Sequence, residues 1–173
     1  MSNFFDLIST RASTKAYSDK IPSDSDIQLV INAGLRAASG KNMQAPIIVA
    51  VKNKEIRDKL SAANASILNA SKDTFYNAPV VLVVLAKKSA NTYVYDGSIT
   101  LGNMMLAAHE IGLASCWIHR AKEVFELPEW KEWLISLGID EEVEGIGNLV
   151  LGYPETEIPA PKEVKPGRVF YVD

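Results

Sequence analysis

A chain of 173 residues that is 47% hydrophobic and 23% charged has the size of one globular domain, able to bury roughly 70% of its unfolded surface, and this excludes disordered and collagen-like classes. Eighteen Lys and Arg against 21 Asp and Glu leave a formal net charge of −3, so no basic excess exists for docking on nucleic acid. One cysteine, Cys116, precludes an intrachain disulfide. Asp6 interrupts the N-terminal apolar run, and the longest apolar stretch, Ala78 to Ala86, is too short to cross a bilayer, so the expectation is a cytoplasmic protein with no membrane role.

Phe4, Phe5 and Ile8 suit a short first helix ending near Arg11, followed by a polar loop up to Pro22. From Ser23 the apolar residues Ile27, Val30, Ile31, Gly34, Leu35 and Ala38 keep a helical period, with Ser23 or Ser25 placed to cap the first turn. Pro46 to Val51 reads as a buried strand, and Ile56, Leu60, Ala63 and Ile67 mark one face of the next helix. Pro79 to Ala86, apolar without alternation, predicts a strand buried on both faces and central in a sheet. Leu101, Met104, Met105, Ala108 and Ile111 form a buried helical stripe that stops at Gly112, and Leu113 to Ile118 resumes as a strand. Trp130, Trp133, Leu134 and Leu137 give a short helix stopped by Gly138, and Ile146 to Leu151 is a further strand.

Helices and strands interleave without a composition shift, which predicts a single domain over residues 1–173 with helices covering a sheet. The Pro-rich tail from Pro154 to Pro166 and a strand-like end, Arg168 to Val172, fit poorly inside a compact monomer and suit an arm reaching a partner subunit.

Few residue patterns carry chemistry. His109 and His119 lie ten apart with no ligand partners at metal spacing; His109 reads as structural or solvent-facing, whereas His119 ends a strand. Gly34 and Gly40-Lys41 have the wrong spacing for a phosphate-binding P-loop, and Asn42 stands where a magnesium-binding hydroxyl belongs. No nucleophile elbow or dinucleotide fingerprint is present, and Cys116 inside an apolar strand reads as a small buried hydrophobe. The ten acidic residues from Glu123 to Glu157, opposed only by Lys131, read as a solvated face. In Arg11-Ala-Ser13-Thr-Lys15-Ala-Tyr17 a guanidinium, a hydroxyl and an ammonium alternate, so an extended loop turns all three one way, as needed to grip a phosphate. Ser39, Asn42 and Gln44 gather a hydroxyl and two amides between a helix and a strand, where they can meet the edge of a heterocycle. Solvated connecting loops are the plainer reading of both segments.

Together and in this order, the two segments resemble the nitroreductase family of FMN-dependent oxidoreductases: an R-x-S-x-[RK]-x-[FY] loop, a capped helix, then S-x-x-N-x-Q leading into a strand. Asp96 to Ile118 is similar to that family's central helix and glycine turn into the strand beside the flavin, and Lys165-Pro-Gly-Arg168 to its C-terminal basic element. Ala12 departs from a frequent second basic residue, and Gln44-Ala45-Pro46 from the commoner Gln-Pro-Trp.

The resemblance implies an α+β, three-layer α/β/α fold with a mostly antiparallel sheet and a C-terminal strand exchanged between subunits of a homodimer, FMN lying at the interface. By the same resemblance Arg11, Ser13 and Arg168, with Lys165, hold the FMN phosphate; Lys15 and Asn42 contact the isoalloxazine; Ser39 and Gln44 face the ribityl chain or ring. Trp117, Ile118 and His119 lie along the ring and offer backbone N–H groups. NADH or NADPH then supplies a hydride that reaches a nitroaromatic, quinone or similar acceptor, while Lys15 stabilises charge on the reduced flavin. Alternatives are a relative's reduction (dehalogenation, enoate reduction or flavin breakdown), a flavin-binding redox module without turnover, or a colourless domain whose two loops are merely solvated.

Overall fold

The computed structural model describes residues 3–173. Four strands form one antiparallel sheet in the order β1-β2-β4-β3, with β1 Pro46–Val51, β2 Val80–Lys87, β3 Ala114–Ile118 and β4 Val143–Gly152. Strand geometry sends alternate side chains to opposite faces, and β2 is apolar at every position from Val80 to Ala86. Val81, Val83 and Leu85 join one core cluster, while Val80, Leu82, Val84 and Ala86 join the other, all fully buried. A strand covered on both faces belongs inside the sheet, where β2 lies.

On one face pack α2 (Asp24–Leu35) and α4 (Tyr93–Glu110), through Ile27, Val30, Leu101, Met104 and Ala108. Ser23 caps α2 by accepting from the Asp26 N–H at 3.1 Å. The two helices approach closely because a Cβ at Gly34 would lie 2.5 Å from Met104 Cγ. The opposite face is covered by α3 (Lys54–Ile67), α5 (Ala121–Glu126) and α6 (Pro128–Ser136), through Leu60, Val124, Phe125, Trp130 and Leu134. The fold is therefore α+β in three layers. Short α1 (Phe4–Thr10) buries nothing and is tied to the end of α4 by a 3.0 Å hydrogen bond between Thr10 Oγ1 and His109 Nε2, a structural role for that histidine. Among the described residues no helix is long and apolar enough to cross a membrane.

Three elements differ from the sequence expectation. Helix α4 begins at Tyr93, ahead of the Leu101 to Ile111 stripe, because its first turns bury Asp96 and Gly97 instead of large apolar residues. Helix α5 is one and a half turns long, too short to display a period. The segment Arg168 to Val172 forms no strand within the single chain, and Val169 to Val172 stand 67 to 97% exposed.

Candidate functional site

After α1 the chain becomes extended, and its alternation is fixed by docking on the free edge of β3. The Thr14 N–H donates to the Ser115 carbonyl at 3.1 Å, and the buried Tyr17 hydroxyl donates back to the Thr14 carbonyl at 2.7 Å. Burial, with Cys116 and Tyr76 nearby, pushes the Tyr17 hydroxyl far above its usual range, so it stays a neutral donor. With Thr14 turned inward, Ser13 and Lys15 point outward and join Arg11 in a cleft of roughly 1230 Å³. The side chains therefore alternate as the sequence predicts.

The cleft runs along Cys116, Trp117, Ile118 and His119, which places the strand-end residues beside the cationic loop. Because the Ser115 carbonyl faces the outer edge, the Trp117 peptide two residues on faces that edge as well. The Trp117 indole packs on the α4 face instead, where a Cβ at Gly147 would collide with its Nε1. The His119 carbonyl is held by Asn64 Nδ2 at 2.7 Å, and Arg120, at φ 79°, pairs with Glu123 at 2.7 Å. Burial pushes the Cys116 thiol up, outweighing the Ser13 hydrogen bond and the charges of Lys15 and Arg11. It therefore remains a thiol at neutral pH, unsuited to nucleophilic chemistry.

Arg11 Nη1 is buried without a hydrogen-bond partner among the described residues. A desolvated guanidinium donor left unpaired is costly, and an anion seated in the cleft would remove that cost.

Ser39, Asn42 and Gln44 lie elsewhere. They form a tight turn before β1 in which Lys41, Asn42 and Gln44 all take left-handed φ values of 51, 55 and 48°. Two internal bonds and one to α4 explain how the turn holds: the Gln44 N–H donates to Ser39 Oγ at 3.0 Å, Gln44 Nε2 to Asn42 Oδ1 at 3.2 Å, and the Gly40 N–H to buried Asp96 Oδ1 of α4 at 3.1 Å. Three left-handed non-glycine residues within four positions, broken only by Met43 at φ −72°, are characteristic of functional loops. This turn feeds β1 while the Arg11 loop lies on β3, so the two sets stand at opposite edges of a four-stranded sheet whose edge strands are about 14 Å apart at the usual strand spacing. One chain does not bring them together. Lys165 and Arg168 are likewise outside the cleft: Arg168 Nε donates only to the Lys165 carbonyl, at 3.2 Å, while the preceding tail residues Pro159 to Val164 form a cleft wall. The other wall, Thr74 and Tyr76, carries no periodicity or motif that sequence reading could have used.

Helices on both faces of an antiparallel sheet, with a cationic loop and a strand end facing an open cleft, define an α/β/α protein. The nitroreductase family model matches residues 8–148, and the chain belongs to that family. A protein of Archaeoglobus fulgidus, provisionally named as an NADH dehydrogenase/NAD(P)H nitroreductase, is 31% identical over 162 residues, covering 87% of this chain and 85% of its own. A crystal structure of a nitroreductase with bound FMN from Bacteroides fragilis superposes with a TM-score of 0.87 at 28% identity over 100% of both chains. Another with bound FMN, from Desulfitobacterium hafniense, gives 0.88 at 25% identity, again over 100% of both.

Proposed function

We propose that this chain is an FMN-dependent oxidoreductase that acts as a homodimer, taking a hydride from NADH or NADPH and delivering it to an electron-poor acceptor such as a nitroaromatic or quinone. The observation that carries the reading is the buried, unpartnered Arg11 Nη1, flanked by Ser13 and Lys15 in one cleft. That donor set suits a phosphate monoester: a planar guanidinium, a hydroxyl, and a second cation. The FMN carried by the Bacteroides and Desulfitobacterium structures supports the same ligand.

When bound, FMN supplies the hydride chemistry, and the protein supplies orientation and electrostatics. Arg11 and Ser13 bind the phosphate. Lys15 sets a positive field toward the reducible end of the ring, favouring the charge that reduction creates. The outward peptide of Trp117 offers an N–H to the ring edge. Cys116 and Tyr17, held as neutral acids by burial, keep competing negative charge away.

Ser39, Asn42 and Gln44 complete the site from a second copy of the chain, because within one copy they occupy the far sheet edge. Apolar surface suited to that pairing is present: Tyr95 and Ile99, 71% and 47% exposed, share a face of α4 with Gly102, and Phe4 and Phe5 are exposed at the N-terminus. Lys165 and Arg168 reach a phosphate only if the exposed tail folds onto that assembly. The test is the visible spectrum of purified protein after FMN addition and desalting, followed by anaerobic NADH or NADPH. Retained flavin absorbance that bleaches is expected; a colourless protein overturns the reading.

A further inference from the structure

Lys15 carries the electrostatic role in the proposed site, yet its ammonium makes no ion pair among the described residues. Its recorded contact is the ring of Tyr76, whose centroid lies 5.4 Å from Nζ. A carboxylate at that place would hold the lysine but cancel its charge, whereas an aromatic face attracts the cation through its quadrupole and leaves the charge intact. The mount behind Tyr76 is built accordingly. Tyr76 sits at φ 54° and Asn77 at φ 57°, conformations unusual for such residues. They are held by the Asp73 carboxylate, which accepts from the N–H groups of Phe75 at 2.9 Å and Asn77 at 2.6 Å, from Arg57 Nη2 at 2.5 Å and from Ser61 Oγ. Arg57 is itself buried and also donates to the Ala78 carbonyl at 3.1 Å, and Phe75 is fully enclosed in the core. The backbone twist thus anchors Phe75 inward and swings Tyr76 out over the cleft, against Lys15.

We infer that Tyr76 is a positioning residue for Lys15: its ring fixes the ammonium at the place where the reduced cofactor needs positive charge, without neutralising it. The inference rests on the FMN reading for its purpose and on the Lys15–Tyr76 contact for its geometry, and the two are tested separately. In flavin-free protein, the Lys15 ε-methylene proton resonance, assigned by loss of the signal in Lys15→Arg, is expected to show an upfield ring-current displacement. That displacement persists in Tyr76→Phe and vanishes in Tyr76→Leu. FMN titration is then expected to show about two- to fivefold weaker binding in Tyr76→Leu, the scale of a partly exposed cation–π contact, with normal binding in Tyr76→Phe. The midpoint potential of bound FMN moves negative in Tyr76→Leu only, and Tyr76→Leu adds nothing in a Lys15→Met background. No displacement in wild type, equal behaviour of the Phe and Leu variants, or an additive effect in the Lys15→Met background overturns the inference. If wild type shows the displacement but retains no flavin, the cofactor reading falls and takes the role assigned to Tyr76 with it, while the contact itself stands.

Discussion

A guanidinium nitrogen stripped of water and given no acceptor is unstable unless something absent from the chain completes it, and Arg11 Nη1 is in that position. Arg11→Ala is accordingly expected to weaken FMN binding by about 1.5 to 3 kcal/mol, the range for a charge-assisted phosphate contact, measured by fluorescence titration. Lys15 acts differently, because its ammonium bears on reduction more than on affinity. Lys15→Ala should slow anaerobic flavin reduction on the order of tenfold, as loss of one preorganised charge does, with a smaller change in Kd. Stopped-flow bleaching at saturating FMN separates the two; an unchanged rate removes the role given to Lys15.

At the scale of elements, the loop joining α3 to β2 is held by charge and the bulge in β4 by close packing. Burial alone raises the Asp73 carboxyl, but hydrogen bonds from Ser61, Arg57, Asn77 and Phe75 outweigh it and hold it below its ordinary value of 3.8. A depressed folded-state value contributes stability that is complete above the unfolded value and is lost as pH falls through the folded one. Stability should therefore decline below about pH 4, and Asp73→Asn should flatten that acid limb while lowering stability at neutral pH by about 1 to 3 kcal/mol. Urea melts at a series of pH values measure both. Opposite Val84 and Leu85 of β2 the register slips by one residue, Ile146 of β4 being the extra one, and the neighbouring Gly145 passes against the backbone of α5; a Cβ there would press into the Ala121 carbonyl. Gly145→Ala should cost about 1 to 3 kcal/mol by overpacking, seen as a lower Tm.

For the whole molecule, the proposed site is divided between sheet edges that one chain holds apart, so dimerisation and cofactor binding should fail together. Light scattering is expected to give twice the 18.9 kDa chain mass. Removal of residues 158–173, which include a cleft wall and the exposed Val169 to Val172, should reduce both flavin retention and dimer content. A truncated chain that remains a flavin-loaded dimer would show that the arm has neither role.

Much of this was legible in residue order, because the interactions involved are local or periodic. The unbroken apolar run of β2 required cover on both faces and hence a central place; the Ser23 cap, the Gly112 stop and the outward alternation of Ser13 and Lys15 follow from backbone geometry over a few residues. Tertiary structure alone decided which candidates share a cleft, since sequence order carries no measure of distance across a sheet. It parted Ser39, Asn42 and Gln44 from the Arg11 loop and left Lys165 and Arg168 outside the cleft. It also brought Tyr76 to Lys15, because a left-handed tyrosine is imposed by the Asp73 hydrogen bonds against the residue's own preference.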